Sequence, residues 1–229
     1  MASHDRRLNT YADIVSGLPL RTSDLSSASR YSEIIKPVLD MVLVFAALVP
    51  TALITGFFAL IISLDGHSPF YRQLRIGKNG RSFTMWKLRS MVPNADAVLK
   101  SYLDANPDAR REWDLTQKLK DDPRITRVGR LIRKTSIDEL PQLFNVFKGE
   151  MSIVGPRPMM LDQRELYPGV AYYAMRPGIT GFWQTSSRNE SSFAERAVFD
   201  TSYFREMSLR TDMQVMVKTV GVVIAGTGY

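Results

Sequence analysis

Residues 41–64, MVLVFAALVPTALITGFFALIISL, carry no charged side chain and form the longest apolar stretch of the chain. A helix over this stretch would be ~36 Å long, which exceeds the roughly 30 Å of hydrocarbon in a bilayer. A surface helix of a soluble protein is normally apolar on one face only, so a core helix this long and uniformly apolar would be unusual. The distance from the N-terminus also argues against a secretory signal peptide. The stretch therefore predicts a membrane helix.

Pro50 lies inside this apolar stretch. It should bend or break the helix, because proline lacks the amide proton and clashes with the carbonyl four residues before it. Basic residues flank the stretch on both sides: Arg21, Arg30 and Lys36 before it, and Arg72, Arg75, Lys78 and Arg81 after it. The positive-inside rule therefore favours neither orientation of a spanning helix. A re-entrant helix with both ends at one face and a single kinked span fit these residues equally well.

Charge and composition restrict the chemistry that the chain can perform. Thirty lysines and arginines against 23 acidic residues give a formal net charge of +7, which suits an anionic partner. The chain has no cysteine and only two histidines, which excludes disulfide scaffolds, cysteine-bound zinc and thiol nucleophiles. Carboxylates and arginines must supply the chemistry. The basic residues are not interleaved with aromatic residues, so we expect no nucleic-acid partner.

Signals beyond the apolar stretch predict a mainly helical α+β fold with a small β-hairpin. Phe70–Ile76 and Arg81–Leu88 flank Asn79-Gly80, which is a strong hairpin-turn signal. Five further segments have helical, loop or turn patterns: a helical region over 94–120 interrupted at Asn106-Pro107, a helix over Ile137–Phe147, an extended loop over Gly155–Pro158, a turn over Arg176–Gly178 and a last helical region from Phe193 to Ile224.

Residues 124–139, RITRVGRLIRKTSIDE, place five cationic side chains directly before the carboxylate pair Asp138-Glu139. One interpretation is purely structural: Ser136 and Glu139 have the spacing of a capping box, and acidic residues favour the first turn of a helix. The other is catalytic. A helix N-terminus would bind phosphate and keep Asp138 ionised for attack on phosphorus, while Mg²⁺ would bridge the carboxylates and a diphosphate. The two interpretations are compatible.

Three further cations are candidates for substrate binding. Lys87 and Arg89 are two residues apart, so on a strand they would share one face. Arg157 stands between Pro156 and Pro158, whose rigid backbone would fix its guanidinium for bidentate binding of a phosphate. The alternative for Arg157 is a structural ion pair.

Five motifs in order carry a resemblance to a known family. They are Lys87–Met91, Asp122–Arg130, Arg133–Leu143, Gly149–Pro158 and Arg176–Gln184. From about Lys36 to its C-terminus the chain resembles the bacterial sugar transferases known as monotopic phosphoglycosyl transferases. The similarity is greatest to the short members that start exopolysaccharide synthesis with a galactose or glucose phosphate.

The resemblance implies a specific reaction. Members of this family transfer a sugar 1-phosphate from a UDP-sugar to undecaprenyl phosphate, release UMP and need Mg²⁺. By the same resemblance, Asp138 is the nucleophile of a covalent phosphosugar intermediate, and Glu139 supports the metal or the nucleophile. Arg133 and Arg157 correspond to phosphate-binding arginines. Pro50 corresponds to the break of a re-entrant membrane helix, which decides between the two topologies left open above.

These expectations divide the chain into a mobile polar tail over residues 1–35, a re-entrant membrane helix over 36–65 and a cytosolic catalytic domain over 66–229. The family fold adds interfacial amphipathic helices, contact with membrane lipid and a location at the cytoplasmic face of the bacterial inner membrane. A homo-oligomer is compatible with the sequence. The alternative function is a catalytically silent membrane anchor or scaffold in polysaccharide assembly, and the intact Asp138-Glu139 pair argues against it.

Overall fold

The computed structural model describes residues 30–116, 119–186, 193 and 195–224. Most of the predicted tail, residues 1–29, therefore lies outside the described residues. Its last part, Tyr31–Ile35, forms a π-helical turn that leads directly into the first α-helix. The helical segment thus begins about five residues earlier than the predicted boundary at residue 36.

Helix α1 covers Lys36–Ser63 and contains Pro50. The segment Tyr31–Ser63 is long and apolar enough to cross a membrane by length and composition, and little of it is buried within the protein. The predicted long apolar helix is therefore confirmed. The helix continues through Pro50, so the chain does not leave the helical conformation at the proline. The re-entrant course stays a prediction at this point.

The hairpin follows α1 as predicted. Strand β1, Phe70–Ile76, pairs antiparallel with strand β2, Ser82–Leu88, in a register that places Phe70 opposite Leu88. The connection needs positive φ angles at Asn79 (58°) and Gly80 (73°). Asparagine and glycine adopt this left-handed conformation more readily than other residues, which explains why Asn-Gly predicts the turn.

The remaining elements are short and mostly helical. The interruption predicted at Pro107 is confirmed, because one helix ends at Ala105 and the next begins at Pro107. In chain order the elements are α2 (Ala95–Ala105), α3 (Pro107–Thr116), α4 (Arg127–Lys134), a 3₁₀ turn (Ile137–Glu139), α5 (Gln142–Phe147), β3 (Ser152–Val154), a 3₁₀ segment (Leu161–Leu166), α6 (Ala171–Ala174), β4 (Gly178–Thr180), α7 (Arg196–Glu206) and α8 (Leu209–Ile224).

Three of the predicted segments differ from the structure. The helix expected over Ile137–Phe147 is a 3₁₀ turn followed by α5, which begins only at Gln142. The turn expected over 176–178 leads into β4, which begins at Gly178 and pairs in parallel with β3 through Ser152–Gly178 and Val154–Thr180. The strands lie so close that a Cβ on Gly178 would be 2.1 Å from the backbone nitrogen of Gly155. The helical region expected from Phe193 to Ile224 is two helices, because the chain leaves the helical conformation at Met207.

The first end of α1 is bound to the body of the protein by buried polar contacts. The Lys36 Nζ atom lies 2.5 Å from Asp212 Oδ2 of α8. The carboxylate of Asp40 accepts hydrogen bonds from the Ser152 hydroxyl at 3.1 Å and the Ile153 amide at 3.0 Å. The second sheet and α8 therefore hold this end.

The second end of α1 is bound to the same body. Ile62 packs with Leu88 of β2 and Ile132 of α4, and its carbonyl accepts a hydrogen bond from Arg89 Nη2 at 3.2 Å. Between the two ends, large apolar side chains of α1 are exposed, including Val49 at 66% and Leu53 at 69%. The apolar helix is thus attached at both ends and exposed in its middle.

Candidate active site

The carboxylate pair lies in the single 3₁₀ turn between α4 and α5. Ser136, the residue before this turn, has a φ of 56° and its side chain makes no capping hydrogen bond. The predicted capping box is therefore wrong, since an N-cap residue normally has an extended backbone that aims its oxygen at the helix amides. The Glu139 amide instead donates to the Ser136 carbonyl at 3.1 Å. The α-helix itself begins only at Gln142, so Asp138 and Glu139 do not occupy its first turn.

Lys87, at the end of β2, contacts both carboxylates. Its Nζ atom lies 2.7 Å from Glu139 Oε1 and 3.9 Å from Asp138 Oδ2. Asp138 is only 8% exposed. Burial raises the pKa of Asp138 to about 6, and the charge of Glu139 adds to this, while Lys87 and Arg133 lower it. Burial therefore favours the protonated form of Asp138, which is opposite to the ionising effect that the sequence predicts for a helix N-terminus.

Arg89 contacts backbone carbonyls and Asp65, whereas Lys87 contacts the carboxylate pair. Its guanidinium donates hydrogen bonds to the carbonyls of Ser68 (2.8 Å), Met91 (3.3 Å) and Ile62 (3.2 Å) and to the Asp65 carboxylate (2.7 Å). These contacts bind the end of α1 to the segment after β2. Its role in substrate binding stays a prediction, and its observed contacts are structural.

One polar cavity of about 610 Å³ brings the predicted residues together. All six candidates line it: Lys87, Arg89, Arg133, Asp138, Glu139 and Arg157. We call this space the polar cavity. Residues that the sequence analysis did not single out also line it, among them Arg124 and, on β1, Tyr71, Gln73 and Arg75. The alternation of Tyr71, Gln73 and Arg75 along β1 is a signal that could have placed them on one face of the strand.

Arg157 and Arg196 both lie over the ring of Trp183, and Arg75 is close enough to be affected by the charge of Arg157. The guanidinium carbon of Arg157 lies 5.6 Å from the centre of the Trp183 ring, and that of Arg196 lies 4.2 Å from it. Burial, followed by the charge of Arg157, lowers the pKa values of Arg75 and Arg196 to about 10. Within the described part of the chain Arg157 forms no ion pair. The structural ion pair considered for Arg157 is therefore not observed, and the three arginines create a positive potential suited to an anion.

Comparison with known proteins is consistent with this geometry. The model of the bacterial sugar transferase family matches residues 31–226. The chain belongs to the bacterial sugar transferase family. The resemblance inferred from the five motifs is confirmed.

Three curated proteins illustrate the similarity of this sugar transferase to its relatives. The UDP-galactose-lipid carrier transferase of Erwinia amylovora is 42% identical and covers 100% of this chain, which matches 51% of that protein. The exopolysaccharide production protein ExoY of Rhizobium meliloti is 48% identical over 81% of this chain and 84% of its own. The undecaprenyl-phosphate galactose phosphotransferase of Salmonella typhimurium is 40% identical over 100% of this chain and 52% of its own. The chain thus spans about half the length of the Erwinia and Salmonella relatives and most of ExoY.

The carboxylates of this sugar transferase fit Mg²⁺ only together with a substrate. Among the described residues there is no group of three or more histidine, aspartate or glutamate side chains that could hold a metal alone. Asp138 and Glu139 supply two adjacent carboxylates to the polar cavity. Magnesium is commonly held by one or two carboxylates, with substrate phosphates and waters as the other ligands. The donor set therefore suits Mg²⁺ bound with a phosphate ester.

Proposed function

We propose that the chain transfers a sugar 1-phosphate from a UDP-sugar to undecaprenyl phosphate. The observation that carries this proposal is the polar cavity, in which the buried side chain of Asp138 shares the lining with lysine and arginine side chains. The names of the Erwinia and Salmonella relatives supply the two substrate classes. The reaction would be the first membrane step of the synthesis of an exopolysaccharide or another surface glycan.

In the first half-reaction, an Asp138 carboxylate oxygen attacks the phosphorus that carries the sugar. A bond forms between this oxygen and phosphorus, and the bond from phosphorus to the bridging oxygen of the diphosphate breaks. UMP leaves with the electron pair of that bond. Arg133 and Arg157 line the cavity where they can neutralise phosphate oxygens, and the planar guanidinium suits bidentate binding.

In the second half-reaction, a phosphate oxygen of undecaprenyl phosphate attacks the same phosphorus. The bond between phosphorus and Asp138 breaks, and the carboxylate is regenerated. Neither half-reaction consumes water, and water would hydrolyse the covalent intermediate. Burial of Asp138 would protect the intermediate by excluding water.

Glu139 and Lys87 would position and balance the nucleophile. The contact of 2.7 Å between them holds the ammonium of Lys87 near Asp138, where it offsets part of the negative charge of the pair. We further propose that Asp138 and Glu139 hold Mg²⁺ together with the diphosphate of the substrate. When bound, Mg²⁺ supplies positive charge that stabilises the phosphoryl oxygens.

We infer that both ends of α1 lie at the same face of the membrane. A straight helix of the length of α1 would extend ~42 Å, and the ends of a spanning helix would stand on opposite faces. Yet Lys36 at one end and Ile62 at the other are both bound to the same body. This attachment supports a re-entrant course. Since nucleotide sugars are made in the cytosol, the body would lie at the cytoplasmic face of the inner membrane.

The test is turnover of Asp138→Asn. The purified chain in lipid nanodiscs is given undecaprenyl phosphate and a panel of UDP-sugars, and released UMP is measured. We expect UMP release to fall by at least about a thousand-fold, because the amide is not a nucleophile. A radiolabelled UDP-sugar without acceptor should leave label bound to the wild type after denaturation, and none on Asp138→Asn.

Asp104→Asn is the control for this variant, since Asp104 of α2 is exposed and pairs only with Arg110 of α3 among the described ion pairs. It should release UMP at the wild-type rate. Near-normal turnover of a folded Asp138→Asn would refute the nucleophile assignment. A wild-type protein that releases no UMP from any sugar would instead favour the silent scaffold.

A further inference from the structure

A second cavity of about 230 Å³ adjoins the polar cavity. Both cavities are lined by Ser136, Glu139 and Arg157. We call the second space the Gln184 cavity. Six of its other lining residues are apolar and come from the segment just before α5, α5 itself, the second sheet and α8: Leu140, Leu143, Ile153, Ile179, Met216 and Val222. It therefore combines a polar mouth at Glu139 and Arg157 with a wall of mixed apolar and uncharged polar side chains.

Gln184 in the wall of this cavity is an unpaired buried amide. It is 5% exposed, and within the described part of the chain neither its Nε2 nor its Oε1 atom has a hydrogen-bond partner. The threonine hydroxyls of the same wall are paired: Thr185 donates to the Gly181 carbonyl at 2.9 Å, and Thr180 and Thr219 share a bond of 2.7 Å. An unpaired buried amide is costly, and native proteins pair nearly all such groups with protein, water or ligand. Gln184 is thus a candidate contact for a ligand in this cavity.

The Gln184 cavity leads toward the apolar helix α1. A third cavity of about 510 Å³ shares two lining residues, Leu140 and Leu143, with the Gln184 cavity. We call it the α1 cavity, because α1 forms one wall of it; the aromatic side chains of Phe70, Trp86 and Phe144 form part of the other. Its volume lies within the roughly 300–1,000 Å³ typical of ligand pockets. The three cavities therefore follow one another from polar to apolar.

We propose that the Gln184 cavity receives the phosphate of the lipid acceptor, with Gln184 donating a hydrogen bond to it and the hydrocarbon chain directed into the α1 cavity. The inference rests on the proposed function, in which undecaprenyl phosphate is the substrate that has an anionic head and an apolar tail. A nucleotide sugar is polar at both ends and matches the polar cavity instead. Each in-line displacement places the attacking and leaving oxygens on opposite sides of phosphorus, so the incoming phosphate must approach from the side from which UMP leaves. Arg157 lines both cavities and can bind the leaving phosphate and then the incoming one.

The experiment separates the two half-reactions of Gln184→Leu. Formation of the labelled covalent adduct from the UDP-sugar alone should proceed within about twofold of wild type. The KM for undecaprenyl phosphate should rise by about tenfold or more, as expected for the loss of one hydrogen bond to a charged group. Gln184→Glu should raise this KM further, because its charge would repel the phosphate. The melting temperature of Gln184→Leu should equal or exceed that of wild type, because the amide has no partner to lose.

Gln214→Leu is the matched control, since Gln214 is exposed on α8 and does not line the Gln184 cavity. It should leave both half-reactions unchanged. An unchanged KM for the acceptor in folded Gln184→Leu would overturn the inference alone and leave the proposed function standing. Slow adduct formation with a raised KM for the UDP-sugar would also overturn it, because Gln184 would then serve the donor. Absence of UMP release from wild type would overturn both.

Discussion

Replacing Lys36 by methionine should strongly destabilise the protein. The ion pair between Lys36 and Asp212 is almost fully buried, with side chains 7% and 1% exposed. Asp212 also accepts hydrogen bonds from the hydroxyls of Tyr31 and Tyr203, both at 2.6 Å. Lys36→Met would leave the carboxylate buried without a counter-charge. Removing one partner of a buried pair typically costs about 3–5 kcal/mol.

The expected size of the effect can be expressed as a change in melting temperature. For a chain of this length each kcal/mol shifts the midpoint by about 2–4 °C. Lys36→Met should therefore lower it by about 6–20 °C. Differential scanning fluorimetry of the purified protein in one detergent measures this directly. Lys148→Met is the control, because the pair of Lys148 with Glu150 is partly exposed and worth about 1 kcal/mol or less.

The double variant Lys36→Met/Asp212→Asn tests the cause. If the loss comes from the carboxylate left behind, neutralising it should restore at least half of the lost melting temperature, while the asparagine carbonyl still accepts from Tyr203. A double variant that melts at or below Lys36→Met would refute this reasoning. The same result would follow if the first end of α1 were held by packing rather than by charge.

Three further predictions concern phosphate binding, pH and topology. Arg157→Lys should lower UMP release by at least about tenfold despite keeping the charge, because a bidentate guanidinium is lost; activity within a few-fold of wild type would contradict this. Burial raises the pKa of Asp200 to about 7, against about 4 in an unfolded chain. The folded state therefore binds more protons between these values, and stability should fall as pH rises from about 4 to about 7. Asp200→Asn should show a flatter pH dependence of the melting temperature, and parallel curves would refute the assignment. Ser23→Cys, the sole cysteine of that variant, should be shielded from a membrane-impermeant thiol reagent in intact cells, and adding Pro50→Leu should expose it in part of the population; labelling without Pro50→Leu would contradict the re-entrant course.

Local signals in the sequence predicted those elements whose backbone is determined by the residues themselves. Asn79-Gly80 predicted the hairpin because these residues accept positive φ, and Pro107 predicted the helix interruption because it lacks an amide proton. Ser136 was predicted wrongly. Its left-handed backbone depends on how α4 and α5 pack, and the spacing of a capping box carries no information about that packing.

The second sheet was missed for a related reason. Strands β3 and β4 have only three residues each, too few to show a period, and they pair across a long separation in the chain. Within the candidate site, the motifs led to Asp138 and Lys87, which the structure places in contact. Gln184 ends the motif Arg176–Gln184, but only the folded chain reveals that its amide lacks a partner among the described residues.

The attachment of α1 at both ends has a mechanical consequence. A helix bound at one end can tilt to match the thickness of the surrounding lipid, and spanning helices commonly do so. Helix α1 has the Lys36 contact at one end and the Ile62 contact at the other, both on one body. It therefore cannot tilt without moving that body, or bend without straining one of the two contacts. The distance from the apolar middle of α1 to Asp138 is thus set by the protein and not by the lipid around it.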